Sequence, residues 1–128
     1  MRYPLATWAP SPNYTRGRGG AAVDLVVIHH TDGQARSDRA IAHLRNPEPS
    51  SGHRVSAHFL VGQAGEVFQL VDTLDTAWHC SGWNARSVGV EHVARTPGEL
   101  SRGDAGLPLA AEQLRASAKL VAWLLHEL

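Results

Sequence analysis

The feature that most constrains the fold is a short apolar run, Asp24–Ile28 (DLVVI), which is followed directly by His29 and His30. Continuous apolarity over this length is typical of a strand that is buried on both faces. We therefore predict that this strand lies at the centre of a sheet. Ligands commonly bind beyond the carboxyl ends of such strands, so the two histidines are the first candidates for a functional site.

Two segments have the periodicity of amphipathic helices. The first covers Ser37–Arg45, where Ser37 or Asp38 can cap the start and Ala40, Ile41 and Leu44 share a face. The second covers Leu109–Leu128 and is the strongest helical pattern in the chain. We expect its buried face to be an aliphatic stripe made of Leu114, Ala118, Val121 and Leu125, widened by Ala110 and Leu124.

Further strands are predicted from alternating polarity. Residues 55–61 and 66–71 flank the turn GQAG and predict a β-hairpin. Ser87–Val93 alternates again, with Val88, Val90 and His92 on one face. Strands interleaved with helices predict an α/β fold, in which a mixed central β-sheet is flanked by α-helices.

Two stretches are predicted to lack long regular elements. Residues 1–23 are rich in proline and glycine and predict an irregular arm that covers part of the core. Residues 96–108 predict a polar loop. A chain of 128 residues is expected to form one domain, and we assign its main part to residues 24–128.

Composition excludes several classes of protein. Twelve basic and twelve acidic residues balance, so no global charge recruits nucleic acid or an anionic membrane. The single cysteine, Cys80, excludes an intrachain disulfide and a zinc ribbon. Met1–Trp8 lacks the pattern of a signal peptide, and no apolar run is long enough to span a membrane.

A carboxylate within an apolar strand is the second candidate for chemistry. Glu91 is surrounded by valines and glycine, where a charge is costly unless it is paired or functional. An ion pair with Arg86 or Arg95 is the structural interpretation. A general base with a raised pKa is the functional one.

The segment AWHCSGWNARS (77–87) combines two tryptophans with His, Asn and Arg, which suits the wall of a sugar- or peptide-binding groove. A loop held together by tryptophan packing explains the same composition. Cys80 could also be a nucleophile with a nearby histidine as its base, although a lone cysteine is more often simply packed.

These motifs together resemble the type 2 N-acetylmuramoyl-L-alanine amidases, a family that includes phage lysozyme-type amidases and peptidoglycan recognition proteins. The resemblance rests on the order IHHTDG (28–33), VSAHFLVGQAGEVFQLV (55–71) and AWHCSGWNARSVGVEHV (77–93), followed by an amphipathic helix. Each motif is weak alone, but their order and spacing are specific.

The resemblance implies a Zn²⁺ enzyme that hydrolyses the amide bond between N-acetylmuramic acid and the L-alanine of the stem peptide. It implies that His29 is a zinc ligand, that His30 is structural, and that Glu91 activates or orients the attacking water. Some members carry a tyrosine at the position of Ala57, so its absence here gives Glu91 more weight. The candidate substrate-binding residues are His58, Trp78, His79, Trp83, Asn84 and Arg86.

The family completes its zinc site after the long helix, with a histidine and an Asp or Cys. Because this sequence ends at Leu128, we expect the remaining ligands to lie beyond it. A peptidoglycan-binding module without hydrolysis is the alternative function. We expect a monomer that acts on peptidoglycan, either as a phage or prophage endolysin, cytoplasmic until it is released to the cell wall, or as a cytoplasmic recycling amidase.

Overall fold

Seven short strands and two α-helices build the part of the chain that the computed structural model describes, residues 1–31, 36–93 and 109–128. The strands are β1 Thr7–Trp8, β2 Tyr14–Thr15, β3 Leu25–His30, β4 Phe59–Val61, β5 Val67–Gln69, β6 Thr76–Ala77 and β7 Ser87–His92; the helices are α1 Ser37–Leu44 and α2 Ala111–Glu127. No helix within these ranges is long and apolar enough to cross a membrane. The predicted polar loop over 96–108 lies outside the described residues.

Five strands form one mixed sheet in the order β1-β5-β4-β7-β3, and β2 pairs with β6 in a separate two-stranded sheet. β4 and β5 form the predicted antiparallel hairpin. Its turn closes because the Gly62 N–H donates to the carbonyl of Glu66 and Gly65 adopts a φ of +84°. β7 runs parallel to both β4 and β3, so these three strands end at the same edge of the sheet.

The prediction of a central position for β3 is wrong. This strand is at the edge of the sheet and pairs with β7 alone among the described residues. Val26 packs against the core, but Leu25 is 37% exposed and Ile28 is 49% exposed. An apolar run of this length therefore does not distinguish a strand buried on both faces from a partly exposed edge strand.

The N-terminal arm covers the core as expected, but it is not irregular throughout. β1 adds a parallel strand beside β5, and Tyr3 is buried in the core under α2. Arg18 donates from its Nε to the carbonyl of Thr73 and from its Nη1 to the carbonyl of Ser87. Prolines and glycines limit the strands of the arm to two residues each without detaching it from the domain.

The α1 helix forms where the sequence predicts it, but its start is not capped by Ser37 or Asp38. The N-cap is Arg36, and no side chain caps it. Ser37 donates its hydroxyl proton to Glu66 instead, and Asp38 forms an ion pair with Arg36. Both predicted capping groups are thus used in other contacts. Ala40 and Leu44 are buried, as predicted.

Each face of the main sheet packs against one helix. On the α2 side, the buried side chains are Phe59, Val61, Val67, Val88, Val90, Leu120 and Leu124. On the α1 side, they are Ala40, Leu44, Ala57, Leu60, Leu70 and Val93. These two cores fix the sheet between the helices and leave Gly89 and Glu91 of β7 on the α1 side.

The buried face of α2 differs from the predicted aliphatic stripe. Leu114 is 51% exposed and Leu125 is 75% exposed, whereas Gln113 is fully buried. The Nε2 of Gln113 donates to the carbonyls of Val61 and Val93, at 2.9 and 3.2 Å. Buried backbone carbonyls need hydrogen-bond donors, and these two bonds explain why Gln113 faces the core while Leu114 faces outward.

We therefore expect Gln113→Met to lower the free energy of unfolding by about 1–3 kcal/mol, because it keeps the shape of the side chain but removes the side-chain donor to the Val93 carbonyl and one of the two donors to the Val61 carbonyl. Leu114→Ala, one residue away on the exposed face, is expected to change it by no more than about 0.5 kcal/mol. Urea unfolding of both variants measures this. A larger loss for Leu114→Ala would contradict the assigned helix face.

Candidate active site

The site begins with the register between two parallel strands. His29 of β3 and Glu91 of β7 are directly paired, so their side chains leave the same face of the sheet. That face is the one covered by α1, as Glu91 shares its lining with Ala40 and Leu44. The parallel pairing therefore brings an imidazole and a carboxyl group from distant parts of the sequence to one surface.

His79 is the third member of the site. Its Nδ1 lies 3.0 Å from the Nε2 of His29, and its Nε2 lies 3.1 Å from the hydroxyl oxygen of Ser87. The ring lies directly on the backbone of Gly89, where a Cβ atom would be only 2.5 Å from the Cγ of His79. Glycine at this strand position is therefore what allows the ring to reach His29.

His58, expected among the substrate-binding residues, is instead fully buried behind the site. Its Nδ1 accepts a hydrogen bond from the Gly89 N–H at 3.0 Å, and its Nε2 lies 3.1 Å from the carbonyl of Asp75. Burial lowers the pKa of His58 to about 3. This neutral ring supports β7 and packs edge-on against His79, and it does not line the site.

Burial also sets the charge state of the other ionisable groups. It raises the pKa of Glu91 to about 7. It lowers the pKa of His79 to about 4, with a smaller contribution from neighbouring His29, and lowers the pKa of His29 as well. The Oε2 of Glu91 is buried without a hydrogen-bond partner among the described residues. These are the properties of a carboxyl group that can exchange a proton near neutral pH.

The structural interpretation of Glu91 receives no support from Arg86. Arg86 forms an exposed ion pair with Asp24 instead. The other proposed partner, Arg95, lies outside the described residues. Glu91 opens into a cavity of about 190 Å³ between the sheet and α1. Its lining consists of His30, Thr31, Ala40, His43, Leu44, Val55, Ser56, His79 and Glu91.

Comparison with known proteins identifies the family. The family model described as N-acetylmuramoyl-L-alanine amidase matches residues 19–128. This chain belongs to that family. N-acetylmuramoyl-L-alanine amidase A of Achromobacter lyticus is 28% identical over 116 residues, which are 90% of this chain and 58% of the relative. The chain therefore spans less than two thirds of the length of that relative.

Solved structures show the same fold. A selenomethionine derivative of AmpD matches with a TM-score of 0.78 at 23% identity, over 98% of this chain and 76% of that one. The Drosophila peptidoglycan recognition protein SA matches with a TM-score of 0.64 at 20% identity, over 92% and 71%. A mutant endolysin from Bacillus subtilis gives 0.63 at 23% identity, over 95% and 75%. The predicted α/β class of a mixed sheet flanked by helices is confirmed.

The amidase motifs are not all gathered around the cavity. Trp83 is 48% exposed and lies beside the guanidinium of Arg86, away from the cavity lining. Asn84 accepts hydrogen bonds from the backbone N–H groups of His79 and Cys80 through its Oδ1. Asn84 therefore shapes the loop that carries His79, and its role as a substrate contact stays a prediction.

Trp78 is held by contacts with its surroundings. Its indole N–H donates to the hydroxyl of Thr15, and Arg54 lies over its ring. His30, for which the resemblance implies only a structural role, lines the cavity. Trp83 and Arg86 form an exposed pair at the amino-terminal end of β7, so substrate binding by them would extend the site beyond the cavity.

The described residues do not by themselves fit a catalytic zinc ion. Such an ion takes about three protein ligands and a water molecule. Within residues 1–31, 36–93 and 109–128, no group of three His, Cys, Asp or Glu side chains could hold a metal ion. His29 is a suitable single ligand, and the Nδ1 of His79 lies 3.0 Å from its Nε2.

The sequence did not reveal the residues that support the site. The hydroxyl of Ser87 contacts His79, and the missing side chain of Gly89 leaves room for the same ring. The guanidinium of Arg18 contacts His58. Gly89 lies between two valines in a strand, and an isolated strand glycine signals close approach by another group. That signal could have been used. Nothing in the sequence places Arg18 beside a histidine 40 residues away.

We predict that Gly89→Ala and His79→Ala are not additive. The methyl group added by Gly89→Ala collides with the His79 ring and is expected to cost about 1–3 kcal/mol of stability in an otherwise intact site. In a His79→Ala background that space is empty, so the cost should shrink by about 0.5–3 kcal/mol. A double-mutant cycle measured by urea unfolding tests this. Equal costs in both backgrounds would place the ring elsewhere.

We also predict a pH-dependent stability difference for Glu91→Gln. Because the folded-state pKa of about 7 lies above the ordinary value of 4.5, the folded chain binds more protons between these values. The wild type therefore loses stability as pH rises through this window, by roughly 1.4 kcal/mol per pH unit at most. Glu91→Gln lacks this loss, so its relative stability is expected to rise between pH 5 and pH 8.

Urea unfolding with a chelator present measures this difference without interference from metal. Glu48→Gln, at an exposed carboxylate, is the matched control and should follow the wild type at every pH. A constant difference between wild type and Glu91→Gln from pH 5 to pH 8 would contradict the assigned environment of Glu91.

Proposed function

We propose that this protein is a peptidoglycan amidase that hydrolyses the amide bond between N-acetylmuramic acid and the L-alanine of the stem peptide. The observation that carries the proposal is the position of Glu91, a half-buried carboxyl with one unpartnered oxygen, on the same face as His29 and His79. Membership of the amidase family supplies the reaction, and the geometry supplies a group able to perform its proton transfers.

The role of Glu91 follows from its environment. As a carboxylate it takes a proton from the water molecule that attacks the scissile carbonyl carbon. The carbon–nitrogen bond then breaks, and the proton passes to the nitrogen of L-alanine, which leaves as a free amine. The water oxygen ends in the carboxylate of the muramic acid. A pKa near 7 suits both directions of this transfer.

Zinc belongs to the proposal as the cofactor that the resemblance implies. His29 would be one of its ligands, and the others would have to come from outside the described residues. When bound, such an ion would supply Lewis-acid chemistry to the scissile carbonyl and to the attacking water. The part of the chain described here contributes the Glu91 carboxyl, the His29 imidazole and a cavity between the sheet and α1.

We further propose that the substrate surface includes the loop of residues 78–86, with Trp83 and Arg86 as its exposed contacts. The biological setting would be lysis of the bacterial cell wall by a phage or prophage endolysin that is cytoplasmic until release. Two of the structural neighbours carry endolysin in their names. Lysis of a producing culture only after its membrane is permeabilised would support this setting, and lysis without permeabilisation would oppose it.

The test is the cleavage of a purified muropeptide by wild-type protein and Glu91→Gln, with zinc supplied. Replacing the proton acceptor by an amide of the same shape is expected to lower turnover about 10²- to 10⁴-fold. Equilibrium dialysis of the same peptide should show nearly unchanged binding, because the exposed contacts remain. Chromatography of the products measures turnover.

Glu48→Gln is the control for the loss of a carboxylate elsewhere and is expected to retain wild-type turnover. Near-normal cleavage by Glu91→Gln would reassign Glu91 to a structural role. The alternative function, a peptidoglycan-binding module, is favoured by the missing three-ligand cluster among the described residues. Saturable muropeptide binding with no product from wild-type protein would establish it in place of hydrolysis.

A further inference from the structure

A line of hydrogen bonds connects the backbone of the 78–86 loop to the site. The hydroxyl oxygen of Ser87 lies 2.8 Å from the carbonyl oxygen of Trp83 and 3.1 Å from the Nε2 of His79. The Nδ1 of His79 lies 3.0 Å from the Nε2 of His29. Ser87 is fully buried, so its hydroxyl group does not exchange these partners for bulk water.

The chemistry of the groups fixes the direction of each bond. A carbonyl oxygen only accepts, so the single hydroxyl proton of Ser87 is donated to Trp83. The Ser87 oxygen is then left to accept, so the Nε2 of His79 carries a proton. In a neutral imidazole the other nitrogen has a lone pair, so the Nδ1 of His79 accepts a proton donated by the Nε2 of His29.

We infer that Ser87 is a positioning residue that sets the tautomers of two histidines, by accepting from His79 and thereby requiring His29 to donate. Both rings carry their proton on Nε2, and the lone pair of His29 is on Nδ1. Ser87 itself acts only through His79. The direction of these bonds stands without the proposed function, but their value for catalysis rests on it, because His29 is then the imidazole that the site uses.

The physical benefit is that His29 is held in one state. An imidazole without a fixed partner exchanges its proton between two nitrogens and rotates, and the atom that it offers as a base or ligand changes with it. A fixed hydrogen-bond partner on one nitrogen prevents both the proton exchange and the rotation of the ring. Gly89 contributes because its missing side chain leaves room for the His79 ring between its two partners.

The experiment is nitrogen NMR of isotope-labelled imidazole rings, in metal-free protein at pH 8 and without substrate. Wild-type protein should show the Nε2-protonated tautomer for both His29 and His79. In Ser87→Ala, the ratio of Nε2-protonated to Nδ1-protonated His79 is expected to fall about fivefold, which is the factor that one ordinary hydrogen bond contributes. The tautomer ratio of His29 should fall with it. Ser87→Thr retains the hydroxyl group and should restore both ratios.

Two references separate this effect from a general loss of structure. His58 accepts from the Gly89 N–H at its Nδ1 and should keep its Nε2 proton in every folded variant. Ser11→Ala removes another buried hydroxyl that donates to a backbone carbonyl, that of Leu44, and should leave His29 and His79 unchanged.

An Nδ1-protonated His79 in the wild type would overturn the inference, whether or not any variant folds. Unchanged tautomer ratios in a folded Ser87→Ala would also overturn it. Neither result depends on amidase activity. Failure of the proposed function would appear instead as muropeptide that is not cleaved while the wild-type tautomers are as expected.

Discussion

The parallel pairing of β3 with β7 is the constraint on which the site depends. It places His29 beside Glu91 in register, although the two residues are distant in sequence. Hydrophobic packing under α2 holds β7 through Val88 and Val90. On the opposite face, Gly89 lies against the His79 ring and Glu91 lines the cavity beside α1. Backbone hydrogen bonds then fix the position of β3 against β7. A slip of one residue would turn either side chain to the opposite face.

The loop after β6 adds the third group, and it does so through small and polar residues. Asn84 organises the loop through two backbone N–H groups, and Gly89 leaves room for the ring of His79. Arg18 ties the same region to the N-terminal arm through several backbone carbonyls. The arm is therefore a structural support for the site, although its composition predicts only an irregular covering.

Patterns of local sequence predicted much of this structure. The hairpin, both helices and the alternating strand of Glu91 are found within a few residues of their expected positions, because hydrophobic periodicity records which face is buried. The edge position of β3 was missed because an apolar sequence indicates that side chains are buried, but it does not show how many neighbouring strands the backbone pairs with. The buried face of α2 was predicted only in part: Leu124 is buried as expected, but Gln113 was missed because it satisfies carbonyls that only the folded sheet presents.

The sequence predicted the reactive groups of the candidate site, but not the residues that hold those groups in position. Glu91 is recognisable as a carboxylate in an apolar strand, and His29 by its place at a strand end. His58 was misassigned because histidine is equally able to fill a buried polar position, as its bond from Gly89 shows. The role of Ser87 depends on distances between residues of a loop and a strand, which no local pattern encodes.

The central claim is that the protein hydrolyses the amide bond between N-acetylmuramic acid and L-alanine. The most direct test is to incubate it with a defined muropeptide in oxygen-labelled water and to locate the label in the products by mass spectrometry. The account predicts one labelled oxygen in the lactyl carboxylate of the muramic acid and an unlabelled peptide with a free L-alanine amine. Label in the stem peptide, or cleavage of a glycosidic bond with the amide intact, would contradict it.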